Sequence, residues 1–126
     1  PFGYGLSYTT FNYSDLQLSK KVMKKNETIT VSFTLTNSGK FDGEEVVQLY
    51  LKDQVGSVVR PVKELRDFQK VFLKAGASQK ITFTIDKEKL AFYNAKLEWA
   101  PEPGAFEVQL GASSADIRLK DNFELL

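Results

Sequence analysis

The sequence contains no cysteine and no histidine among its 126 residues. Without cysteine there is no disulfide, no thiolate-bound zinc, no iron–sulfur cluster and no thiol nucleophile. Without histidine there is no Ser-His or Cys-His catalysis and no imidazole metal ligand. Charge of one sign is also missing. The 17 Lys and Arg stand against 16 Asp and Glu, a formal net charge of +1, whereas a nucleic-acid-binding face usually shows a basic excess. No apolar run approaches the length of a membrane-spanning helix. The composition therefore points to no nucleic-acid partner and no membrane span. The compartment stays open, because a secreted domain with a large enough core needs no disulfides.

What is present is a period-two pattern. The 126 residues suit one domain, and a chain of this size buries about two-thirds of its unfolded surface on folding. Phe11, Tyr13, Leu16 and Leu18 predict a first strand with a slip near Ser14-Asp15. Lys24, Lys25 and Asn26 make a polar turn. Ile29, Val31, Phe33 and Leu35 then alternate with Thr30, Ser32, Thr34 and Thr36, one face apolar and one hydroxyl-rich. Asn37-Ser38-Gly39 and Asp42-Gly43 are turn signals. In Val46 to Leu51 both faces are partly apolar, which predicts a strand covered on both sides. Val55 to Arg60 leads into Pro61 and reads as an edge or loop. Leu65 to Leu73 is strand-like, most clearly over 67–73. Ile81, Phe83 and Ile85 give another clean strand. Asp86 is placed to cap one short turn through Lys89. After Pro101-Glu102-Pro103-Gly104, the residues Phe106, Val108 and Leu110 alternate again. Gly111 to Ala115 reads as a loop, and Ile117, Leu119, Phe123 and Leu125 as a last strand or two. About seven strands with turn signals every ~8–12 residues predict an all-β antiparallel sandwich or barrel.

Catalytic motifs are scarce. Gly3-Tyr4-Gly5-Leu6-Ser7-Tyr8 has Tyr8 where a dinucleotide fingerprint needs its third glycine. Gly5-Leu6-Ser7-Tyr8-Thr9 ends in Thr9 where a nucleophile elbow needs glycine. Glu44 and Glu45 are adjacent on a strand and point to opposite faces. Glu64 and Asp67 lie among Lys63, Arg66 and Lys70, so both pairs read as solvated charge. Trp99, Tyr93, Tyr50, Tyr8 and Tyr4 could stack on sugars, although packing is the commoner use of large aromatics. Asn12-Tyr13-Ser14 and Asn26-Glu27-Thr28 match the N-glycosylation pattern.

Several phrases together resemble the C-terminal fibronectin type III-like domain of family 3 glycoside hydrolases, most closely the bacterial periplasmic β-glucosidase type. They are Pro1-Phe2-Gly3-Tyr4-Gly5-Leu6-Ser7-Tyr8-Thr9, Val46-Val47-Gln48-Leu49-Tyr50-Leu51, Arg60-Pro61-Val62-Lys63-Glu64-Leu65, Leu90-Ala91-Phe92-Tyr93, Glu102-Pro103-Gly104-Ala105-Phe106-Glu107-Val108 and Asp116-Ile117-Arg118-Leu119. The resemblance spans essentially the whole chain. The opening phrase and the Arg60 to Leu65 phrase are its most specific parts.

The resemblance implies an immunoglobulin-like sandwich over residues 11–126, preceded by a docking segment at 1–10 cut from a longer chain. It also implies that the catalytic Asp and Glu lie on preceding barrel and α/β domains. Ser14-Asp15-Leu16 lacks the Trp of the family's nucleophile phrase, so no catalytic residue, cofactor or metal site is carried over, and the chain alone is expected to be no enzyme. The expected partners are those two domains of the same polypeptide, with a homodimer of the parent as a further expectation. The expected docking residues are Phe2, Tyr4, Leu6 and Tyr8, with Tyr50 on an outward strand face. The alternative is a carbohydrate-binding module that uses exposed aromatics. A periplasmic or secreted location follows from the resemblance only. Where related folds close a corner with a tyrosine hydroxyl, this chain has Phe106, which is expected to be plain core.

Overall fold

The computed structural model describes residues 9–54, 63–93 and 99–126, of which 92, 93, 99 and 100 are described by backbone alone. The strands are β1 (Phe11–Leu18), β2 (Val22–Met23), β3 (Ile29–Asn37), β4 (Gly43–Asp53), β5 (Lys63–Leu73), β6 (Ser78–Ile85), β7 (Phe92–Tyr93), β8 (Trp99–Ala100), β9 (Gly104–Ser113) and β10 (Asp116–Leu125). The long ones, β1, β3, β4, β5, β6, β9 and β10, are the seven that periodicity predicts. The two-residue strands β2, β7 and β8 are too short to show a period. Residues 1–8 of the docking segment, and the stretch from Val55 through Pro61, lie outside the described residues.

Strands β1, β3 and β6 form one sheet in that order. Strands β2, β10, β9, β4 and β5 form the second, and β7 pairs with β8. Among the described residues all pairings are antiparallel except β2 with β10, which is parallel. The expected antiparallel sandwich is observed, with that one short parallel contact added at its edge. There Glu124 N–H donates to Lys21 O at 2.8 Å and Leu126 N–H to Met23 O at 2.9 Å. Lys21 Nζ also meets Asp121 Oδ1 at 2.5 Å.

The core lies where the inner faces meet. Ile29, Val31, Phe33 and Leu35 of β3, with Ile81, Phe83 and Ile85 of β6, pack into one buried cluster with Val47, Leu49 and Leu51 of β4 and Phe106, Val108 and Leu110 of β9. Alternate residues of a strand share a face, so each apolar set reaches the core only if its register holds. In β1 the register shifts between Ser14 and Gln17. Asp15 there adopts φ 57°, a left-handed conformation that Asp tolerates better than most residues. The shift exchanges the inward parity, so Phe11 and Tyr13 before it and Leu16 and Leu18 after it all face the core. This is the slip that the sequence shows.

Two loops differ from expectation. The loop read from Gly111 to Ala115 is shorter, because β9 runs on to Ser113. A Cβ on Gly111 would stand 2.1 Å from the Asp116 carbonyl oxygen, so glycine there reflects the close approach of the bulged start of β10. The turn after Ile85 is capped as read, with Lys89 N–H donating to Asp86 Oδ1 at 3.1 Å.

One buried polar residue ties four segments together. The Oδ1 of Asn37 accepts from Thr9 Oγ1 at 2.6 Å and from Gly39 N–H at 3.0 Å. Its Nδ2 donates to Phe41 O at 2.8 Å and to Leu73 O at 3.0 Å. A side-chain amide has two donors and one carbonyl oxygen, and all are used in a site with no exposure to water.

Phe106 has no exposed surface and stacks on Phe123, ring centroids 5.6 Å apart. Phe106 is thus the plain core residue expected, and the chain turns into β9 through Gly104, whose φ of 142° suits glycine alone. Phe106→Ala should lower unfolding free energy by ~3–5 kcal/mol, the range for truncating a buried aromatic; urea denaturation checks it, and a near-neutral result would contradict full burial. Asn37→Leu should cost on the order of 3 kcal/mol by stranding the Phe41 and Leu73 carbonyls, again read from the denaturation midpoint.

Candidate functional site

Among the described residues, a cleft lies where the edges of the two sheets meet at β1 and β10. It encloses about 450 Å³, lined by Thr9, Thr10, Phe11, Asn12, Glu45, Ala112, Asp116 and Arg118. The bulged start of β10 turns Arg118 back onto Asp116, with Nε–Oδ1 at 2.6 Å and Nη2–Oδ2 at 3.1 Å. Its third nitrogen, Nη1, donates to Phe11 O at 3.0 Å. The guanidinium lies over the Tyr13 ring at 5.4 Å from the centroid. Tyr13 stacks flat on Phe33 and donates its hydroxyl to Glu45 Oε2 at 2.9 Å.

The electrostatics of the cleft follow from these contacts. Burial raises the Glu45 carboxyl above its ordinary pKa, and the Tyr13 hydrogen bond partly offsets this. Burial first, and the Glu45 charge second, push the Tyr13 phenol well above its ordinary value. The Arg118 hydrogen bond holds Asp116 below the usual carboxylate range. One carboxyl raised beside one lowered is the pattern of an acid–base pair. Here, however, each carboxylate has a committed partner, and Asp116 is clamped at both oxygens. A glycosidase needs a sugar held between two carboxyls that are free to act. The cleft instead links the sheets through β1, β4 and β10. Among the described residues there is no cluster of three or more Asp, Glu, His or Cys suited to a metal ion.

The other residues singled out in the sequence scatter. Glu44 is exposed and Glu45 half-buried, on opposite faces as read. The reading of Glu45 as solvated charge is corrected by its bond to Tyr13. Glu64 pairs with Arg66 at 3.0 Å, and Asp67 pairs with Lys89 at 3.1 Å instead of the nearby Lys63 or Lys70. Tyr50 is only 9% exposed. Its hydroxyl donates to Gln48, and Lys63 Nζ covers its ring at 5.5 Å. It therefore offers no open ring face for stacking on a sugar. Tyr93 and Trp99 pair across β7 and β8. Phe2, Tyr4, Leu6 and Tyr8 lie outside the described residues.

The sequence reading missed one surface. Phe72, Phe68 and Leu65 stand opposite Glu44, Gln48 and Tyr50 on the outward face of β5 and β4, and are 58%, 55% and 46% exposed. Phe41 is exposed as well. The available signal was that Phe68, Lys70 and Phe72 alternate with Gln69, Val71 and Leu73. Only one of those two sets can face the core.

Comparison with known proteins gives a consistent picture. The sequence profile of the fibronectin type III-like domain matches residues 45–114. The chain is 50% identical over 123 residues to thermostable beta-glucosidase B of Acetivibrio thermocellus, covering 97% of this chain and 16% of that protein. It is 46% identical over 126 residues to the periplasmic beta-glucosidase of Salmonella typhimurium, again covering 16% of that protein. It superposes on a beta-glucosidase from Listeria innocua, solved in complex with gluconolactone, with a TM-score of 0.85 and 41% identity over 99% of this chain and 17% of that one. The chain thus spans about a sixth of the length of these relatives. From the profile match and the sandwich together, the chain belongs to the fibronectin type III-like domain family, matching the C-terminal portion of family 3 β-glucosidases.

Proposed function

We propose that this chain is a non-catalytic accessory domain of a family 3 glycoside hydrolase, whose remaining domains hydrolyse β-glucosidic bonds. One observation carries the reading: nearly the whole chain matches β-glucosidases while accounting for only 16% of their length. The clamped carboxylates of the cleft support it, since chemistry that needs free acids has no place there. The domain packs on the barrel and α/β domains of the same polypeptide and helps them stay folded. Phe2, Tyr4, Leu6 and Tyr8 form the joint, because four large apolar side chains alternating with small residues are costly to leave in water. Tyr50, on the outward face of β4 but only 9% exposed beneath Lys63, is left out of this docking proposal. A periplasmic or secreted location goes with this reading, one relative being named a periplasmic enzyme.

The isolated chain should hydrolyse an aryl β-glucoside no faster than a buffer blank; turnover that survives repurification would overturn the reading. The parent enzyme deleted of residues 11–126 should lose solubility or unfold at a lower temperature. A deletion variant with unchanged midpoint and full activity would count equally against it.

A further inference from the structure

We propose that the outward face of β4 and β5, centred on Leu65, Phe68 and Phe72, is the surface on which the catalytic part of the longer polypeptide packs. The inference rests on the accessory-domain reading and gives it a specific face.

The two outer faces of the sandwich differ in chemistry. Across β3 and β6 the outward residues pair as Thr30 with Thr84, Ser32 with Thr82, Thr34 with Lys80 and Thr36 with Ser78. That face is hydroxyl-rich and suited to water. The outward face of β5 instead presents Leu65, Phe68 and Phe72, each with roughly half of its surface exposed. Clustered apolar side chains of this size mark contact surfaces. The opposite face of β5 is already occupied. Gln69 donates to Thr82 O at 2.7 Å, Asp67 binds Lys89, and Arg66 donates to Ala91 O at 2.7 Å. In sheet order β5 is also an edge strand, and natural proteins seldom leave a long apolar edge bare.

The path of the chain selects the occupant. Thr9 is bound to the Asn37 amide, which also holds the carbonyls of Phe41 and Leu73. The polypeptide that leads into Thr9 therefore reaches the sandwich at the Phe41 and Phe72 end of the apolar face. The opposite end of the sandwich holds Leu125, paired with Gly104. A domain tethered at Thr9 meets this face at an effective concentration on the order of millimolar. A second copy of the chain, free in solution, has no such advantage.

Hydroxyl-radical footprinting of the 126-residue chain and of the full parent enzyme tests this. In the parent, oxidation of Phe68 and Phe72 should fall about fivefold or more, as for side chains inside a dry interface. Phe68→Ser with Phe72→Ser should shift the melting midpoint of the chain alone by no more than about 2 °C, since both positions are exposed. The same pair should clearly lower the midpoint of the parent. If Phe68 and Phe72 stay reactive in the parent while another face becomes protected, this assignment is overturned and the accessory reading stands. If no face is protected, both fall. Protection that appears in the isolated chain as concentration rises, together with a doubled mass in sedimentation, would assign the face to a second copy and overturn the proposal.

Discussion

The side-chain amide of Asn37 is where the two sheets become one object. It sits at the last position of β3, in the three-stranded sheet, and binds Leu73 at the last position of β5, in the five-stranded one. Its other bonds hold Thr9, just ahead of β1, and the loop that leads into β4. The backbone of the same residue is also used, with its N–H donating to Ala77 O and its carbonyl accepting from Gly76 N–H. Apolar burial brings two sheets together without direction, because the hydrophobic effect has none. A fully satisfied buried amide supplies the direction, since any slide of one sheet past the other would break several bonds in a site water cannot reach. The cleft at β1 and β10 depends on the same alignment, because Tyr13 meets Glu45 only if the sheets hold this offset.

Most of the architecture was legible in the residues. The alternation of Ile29, Val31, Phe33 and Leu35 against threonines and serine fixes a strand, its inward face and its outward chemistry at once. The slip at Ser14-Asp15 was visible because the apolar positions change from odd to even there. Less was legible where both alternating sets are apolar. Phe68 and Phe72 on one side and Val71 and Leu73 on the other are equally hydrophobic, and only the pairing with β4 decides which set faces the core. The parallel contact between β2 and β10 had no local signature, since two residues cannot display a period. Glu45 was misread for a related reason: its partner Tyr13 lies 32 positions away, and sequence spacing carries no trace of such a bond.

The missing residue types take on a positive meaning in this setting. Among the described residues, the buried polar contacts are made by amide, hydroxyl, carboxylate and guanidinium groups. None of these oxidises as a thiol does, and none has the near-neutral intrinsic pKa of an imidazole. The raised Glu45 and Tyr13 and the lowered Asp116 are consequences of packing at the sheet edge. Strongly perturbed ionisable groups often mark catalysis. Here their partners are all spoken for, and the perturbation reports on a joint between sheets.

The short parallel pairing of β2 with β10 has a kinetic consequence. Lys21 and Asp121 are 100 positions apart, so their contact encloses nearly the whole domain in one loop. Such a closure has a large entropic cost before its contacts form, and folds dominated by distant pairings are slow to assemble. On a ribosome, β1 and β3 can pair early, while β2 must wait for the last strand to emerge. Until then Met23, with no exposed surface in the finished fold, has no partner strand to cover it. The interval between those two events is when this domain is most open to chaperones and to mispairing with other chains.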